Sequence, residues 1–105
     1  MTLLGELLAD SAIEFAGCSV ETEGDGGRTW SRNRRPFAAL SADGRTAEFL
    51  LDPAVADAAV RTPDVAQSTR GGGWVAFWPA ELDDHAADRA VAWFASACRR
   101  TGPLD

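Results

Sequence analysis

Arg35-Pro36-Phe37-Ala38-Ala39-Leu40-Ser41-Ala42-Asp43-Gly44-Arg45-Thr46-Ala47-Glu48-Phe49-Leu50-Leu51 decides the fold. Two apolar runs, 35–41 and 45–51, flank Asp43-Gly44. That dipeptide between strand-like runs signals a hairpin with a type I′ turn. In the second run Ala47, Phe49 and Leu51 share one face of a pleated strand. Thr46, Glu48 and Leu50 share the other, which is the wetter one.

Downstream of the hairpin, Asp52-Pro53 opens a helix. Aspartate caps it and proline fits its first position. Val55, Ala56, Ala59 and Val60 give its apolar side, and Thr62-Pro63 ends it. A strand is predicted over 65–69. Arg70-Gly71-Gly72-Gly73 then turns the chain into a strong strand, Trp74 to Trp78, which Pro79 stops. Asp83 caps a last helix over 84–100. On that helix Trp93, Ala86, Ala97, Ala90, Phe94, Ala87, Cys98 and Val91 fill one continuous arc. Asp88, Arg99, His85, Ser96 and Arg89 fill the other.

Upstream, residues 2–16 carry a helical stripe of Leu4, Leu7, Leu8, Ser11, Ala12 and Phe15, with Leu3 at its margin. Thr2 suits the N-cap and Gly17 the position after the helix. Strands are predicted over 18–23 and 28–31, joined by the turn Gly24-Asp25-Gly26-Gly27. The order is α-β-β-β-β-α-β-β-α. It defines one α+β domain over 1–105, with a mostly antiparallel sheet and helices packed on one face.

The length of 105 residues suits a single domain with its own core. The formal net charge is −6, and all ten positive residues are arginine. An acidic chain is repelled by nucleic acid and by anionic membranes unless its cations cluster. Residues 1–6 show no basic leader, and no apolar run approaches the ~20 residues of a membrane span. The expectation is a cytoplasmic protein with reduced thiols and no membrane contact. Cys18 and Cys98 form no CxxC pair and read as small buried hydrophobes. They make a disulfide only if their Cα atoms fall within about 7 Å.

The order, and some residues, resemble the small bacterial YjbR/MmcQ-like family, whose fold is related to type III secretion chaperones. Arg35-Pro36-Phe37-Ala38-Ala39-Leu40 looks like the family's central strand. The helix after Asp52-Pro53 is similar to its middle helix. Gly73-Trp74-Val75-Ala76-Phe77 resembles its tryptophan-bearing late strand, and Leu82-Asp83-Asp84 its approach to the closing helix. The likeness covers residues 28–100, and the short glycine-rich segment 23–27 departs from the family's usual turn. A small luciferase-like domain shares the tryptophan strand pattern and is the second resemblance. Neither implies a catalytic residue set. The first implies DNA binding as a suggested activity of the family.

No constellation points to catalysis. His85, the sole histidine, falls on the polar arc near Asp83, Asp84 and Asp88, and one histidine with aspartates is a weak metal signal. No GxSxG elbow occurs. Gly71-Gly72-Gly73 lacks the P-loop pattern and leads into a strand rather than a helix. No cofactor or metal is expected. Arg28, Arg32, Arg34 and Arg35 surround Trp30 without an intervening acid, a pattern suited to single-stranded nucleic acid or an anionic ligand. The net charge of the chain disfavours the nucleic-acid reading.

The late strand says more. Trp74, Ala76 and Trp78 alternate to one face, and Val75 and Phe77 to the other. If helices cover one face, large side chains on the other must meet something else. The leading expectation is a non-enzymatic interaction module. It presents Trp74, Trp78 and Trp30 to a second copy of itself, as a homodimer, or to a partner protein. One alternative is nucleic-acid binding through the 28–35 arginines. Another is a small-molecule cup between sheet and helices, with Arg28 or Arg70 holding an anionic group.

Overall fold

The first element, α1, spans Leu4–Ile13, and its stripe buries Leu4, Leu8 and Ser11. The Ser11 hydroxyl donates to the Leu7 carbonyl 2.9 Å away, which lets a polar side chain lie on the buried stripe. The computed structural model describes residues 4–15 and 17–101. The expected cap Thr2, the margin residue Leu3 and the expected helix end Ala16 lie outside them. Gly17 takes φ 77°, the left-handed conformation glycine supplies after a helix.

The remaining elements are β1 (Cys18–Thr22), β2 (Arg28–Arg32), β3 (Arg35–Leu40), β4 (Ala47–Leu50), α2 (Pro53–Ala59), β5 (Val65–Gln67), β6 (Trp74–Phe77) and α3 (Asp84–Arg100). Order and class are those read from the sequence. The strands form one six-stranded sheet, ordered β1-β2-β3-β4-β6-β5. Every neighbouring pair is antiparallel.

The turn chemistry differs from expectation at one place. Asp43-Gly44 does not make a type I′ turn, which needs positive φ at both central residues. Only Gly44 is left-handed, at φ 73°. The loop is longer: the Ser41 amide donates to Thr46, and the Gly44 amide to Ser41, each at 2.9 Å. The Asp43 carboxylate accepts from the Ser41 hydroxyl at 2.6 Å and from the Arg45 amide at 3.0 Å. These bonds hold its pKa below the usual carboxylate value. The two-residue turn with both φ positive joins β2 to β3 instead, through Asn33 (55°) and Arg34 (64°).

Asp52 also departs from its expected role. It precedes α2, but its side chain makes no capping bond. Its Oδ1 accepts from Arg100 Nε at 2.9 Å, tying the start of α2 to the end of α3. Asp83 does cap α3, accepting from the Ala86 amide at 2.8 Å.

The core lies between the sheet and the helices. Leu8, Trp30, Phe37, Phe49, Leu51, Val75, Phe77 and Phe94 are all buried there, with Ala59 from α2 and Ala86, Ala90, Ala97 and Cys98 from α3. Phe94 is its centre. Its ring meets Phe37 at 5.1 Å and Trp30 at 5.8 Å, both edge-on, and Phe15 at 6.2 Å. Each such pair adds about 0.5–1.5 kcal/mol beyond burial. Val91, placed on the apolar arc by its spacing, stays 38% exposed at the arc's margin.

Candidate functional site

The face of the sheet away from this core is built by strand alternation. In β6, Val75 and Phe77 are buried while Trp74 and Ala76 are half-buried. In β4, Ala47 and Phe49 are buried while Glu48 and Leu50 are half-buried. The register sets Leu50 opposite Trp74 and Glu48 opposite Ala76, and Ala66 of β5 on the far side of Ala76. Trp78, one residue past β6, continues the alternation and is 44% exposed. Leu50, Trp74, Ala76 and Trp78 thus make an apolar patch on the β4–β6–β5 half of the open face. The β1–β2 half is polar, with Ser19 opposite Ser31 and Glu21 opposite Thr29.

One ion pair sits in the patch. Glu48 Oε1 accepts from Arg70 Nε at 2.9 Å, and its Oε2 accepts from the Ser68 hydroxyl. The Arg70 guanidinium lies 5.3 Å over the Trp74 ring. An exposed ion pair contributes only ~0–1 kcal/mol, and a cation–π contact at such a site about 0.5–1 kcal/mol. Their effect is positional. Arg70 is held over Trp74, and the Glu48–Arg70 pair carries no net charge. Glu48 and Arg70 were not linked by the sequence, since no motif ties positions 22 residues apart.

The glycine turn before β6 serves the strand. Gly71 and Gly73 have φ of 131° and 85°. A Cβ on Gly73 would stand 2.9 Å from the Leu51 carbonyl, beside the bond in which the Leu51 amide donates to the Gly73 carbonyl at 2.8 Å.

The three tryptophans named from the sequence divide. Trp74 and Trp78 lie on the open face. Trp30 does not: it is 1% exposed and stands edge-on to Phe94 in the core. Its strand alternates arginine, tryptophan, arginine, and the helices cover that face.

The four arginines divide too. Arg28 and Arg32 follow Trp30 onto the helix side. Arg28 Nη1 comes within 3.9 Å of the Cβ position of Gly5 in α1. Arg32 Nη1 makes a long bond of 3.5 Å to the Cys98 carbonyl. Arg34 is in the turn, and Arg34 and Arg35 are exposed. Arg28 is exposed as well, and Arg35 stands directly opposite Arg32 across the β2–β3 pair, so Arg28, Arg32 and Arg35 share the helix-side face of these strands while Arg34 sits in the turn. Between sheet and helices, besides the rings around Phe94, Trp93 meets Phe77 at 5.2 Å and Phe49 at 6.3 Å. Arg70 lies on the opposite face, so it is not placed to hold an anion there.

His85, Asp83, Asp84 and Asp88 are exposed around the start of α3. Among the described residues, no group of three or more His, Cys, Asp or Glu is arranged to hold a metal ion. No helix among them is long and apolar enough to cross a membrane.

Fold and site together define an α+β domain whose antiparallel sheet is covered by helices on one side and bears an aromatic patch on the other. No protein-family model matches the chain, and no curated protein matches it.

Proposed function

We propose that this chain is a non-enzymatic interaction module that pairs its open sheet face with a second copy of itself. The observation that carries the reading is the apolar patch of Leu50, Trp74, Ala76 and Trp78, with Trp78 44% exposed. Large apolar patches are uncommon on monomers, and aromatic residues with arginine are enriched at interfaces. A chain of net charge −6 meets its own copy at a cost in repulsion. Glu48 neutralises Arg70 within the patch, so this part of the surface is suited to an isologous contact, in which each patch faces its own image. The reading is of a YjbR-like module in the cytoplasm. The element order and the place of the tryptophan strand support that likeness.

Light scattering on the eluting chain tests it. The expected mass is twice 11.1 kDa at micromolar concentrations, falling toward the monomer on dilution. Trp78→Ala is expected to shift the equilibrium to monomer with an unchanged far-ultraviolet spectrum. A monomer at every concentration overturns the proposal.

A further inference from the structure

Cys18 opens β1, and its Cα lies opposite that of Arg32 in β2. Side chains at directly opposed positions share a face, with Cβ atoms about 4.5–5.5 Å apart. Here the shared face is the helix side. Arg32 Nη1 lies 3.5 Å from the Cys98 carbonyl and 3.8 Å from Cys98 Sγ. One guanidinium therefore reaches from the position beside Cys18 to the second thiol. Cys18 packs against the same buried cluster to which Cys98 belongs. Both thiols are free. Arg32 Nε is buried without a hydrogen-bond partner, so a cation sits at this spot with part of its bonding capacity unused.

We propose that Cys18 and Cys98 form a reversible disulfide that staples the edge strand β1 to the C-terminal end of α3. The oxidant is a small-molecule disulfide of the glutathione type. The half-buried Cys18 attacks first as its thiolate: its sulfur bonds to one glutathione sulfur, and the other glutathione leaves as a thiolate. The Cys98 thiolate then attacks the Cys18 sulfur, the protein disulfide forms, and the second glutathione leaves. The two protons given up by the protein thiols end on the two glutathione thiols, so one disulfide is reduced as one is made.

Burial pushes both thiols above their ordinary pKa, and at Cys18 the neighbouring Cys98 adds to the rise. Arg32 acts against this by favouring the thiolates. The dithiol is thus the resting form under reducing conditions, and oxidation is slow and conditional. Once formed, the bond closes a loop of about 80 residues and restricts the unfolded chain. It also fixes β1, the strand whose outer edge is unpaired in the sheet.

The test uses the whole chain with excess oxidised glutathione, against a reduced control. The expected product is a chain with no covalent link to a second chain that resists alkylation, with a peptide map joining residues 18 and 98. Its melting midpoint is expected to rise by about 10 °C or more, and reducing agent to reverse the rise. Cys98→Ala is expected to show no rise. If that variant fails to fold, Cys18→Ser on the edge strand serves as the same control. Two alkylatable thiols after treatment, a product that stops at a glutathione adduct on Cys18, or crosslinks only between chains, would each overturn the proposal.

Discussion

Arg34 has its backbone at φ 64°, in the left-handed region, as the second central residue of the β2–β3 turn. Asn33 before it tolerates that region through its short polar side chain, but arginine does not. Arg34→Gly is expected to stabilise the chain by about 0.5–1 kcal/mol, the relief of strain outweighing glycine's greater freedom when unfolded. A thermal melt that shows no rise in midpoint counts against strain at this turn. This is also where the sequence was hardest to read. Asn-Arg is a weak turn signal beside Asp-Gly, yet it makes the tighter hairpin, because the Asp43 carboxylate closes the longer loop with Ser41 and Arg45. The thiols give a second expectation at this scale. Burial raises the pKa of both Cys18 and Cys98 in the folded chain. A raised pKa means the folded state binds protons more tightly. That stability is fully present below the ordinary thiol value and is lost as pH rises through the raised ones. Under reducing conditions the melting midpoint is therefore expected to fall more steeply as pH rises above the ordinary thiol value of about 8.5 in the unmodified chain than in a Cys18→Ser, Cys98→Ala variant. Parallel slopes would show that the thiols do not contribute.

The elements themselves were legible where periodicity is long. The 17-residue α3 matches its expected bounds because its apolar arc and Asp83 cap agree with each other. The hairpin strands were legible too, since Ala47 and Phe49 alternate cleanly with Glu48 and Leu50. The face of β2 was not. A five-residue strand reading Arg-Thr-Trp-Ser-Arg offers one large apolar residue between two cations. Nothing local says that both arginines lie on the covered side with Trp30, their stems along apolar surface. The element-scale prediction concerns the turn into β6. Gly73 combines φ 85° with a Cβ position 2.9 Å from the Leu51 carbonyl. Gly73→Ala is expected to cost about 1–3 kcal/mol and to displace Trp74 from its place under Arg70. Gly72→Ala, where a Cβ meets open space, is the control. Equal melting midpoints for the two variants would mean the approach to Leu51 relaxes freely.

At the scale of the molecule, the two sides of the sheet do different work, and the tryptophans separate them. Trp30 stands on the core side, edge-on to Phe94, which also meets Phe37 and Phe15. Removing its ring leaves a cavity between β2, β3 and α3. Large aromatic truncations of this kind cost about 3–5 kcal/mol, against a total of roughly 5–15 kcal/mol for a domain of this size. Trp78 stands on the other side, with no part in the buried cluster. Its truncation is expected to leave the fold within about 0.5 kcal/mol of its original stability, as surface changes usually do. The two variants therefore predict opposite patterns. Trp30→Ala lowers the midpoint of urea unfolding sharply. Trp78→Ala leaves that midpoint unchanged at dilutions where the chain is already monomeric, and lowers it only at concentrations where the unmodified chain pairs, because association stabilises the folded state by mass action. A Trp78→Ala midpoint that falls equally at every concentration would place Trp78 in the monomer's own stability and remove the basis for pairing through that face.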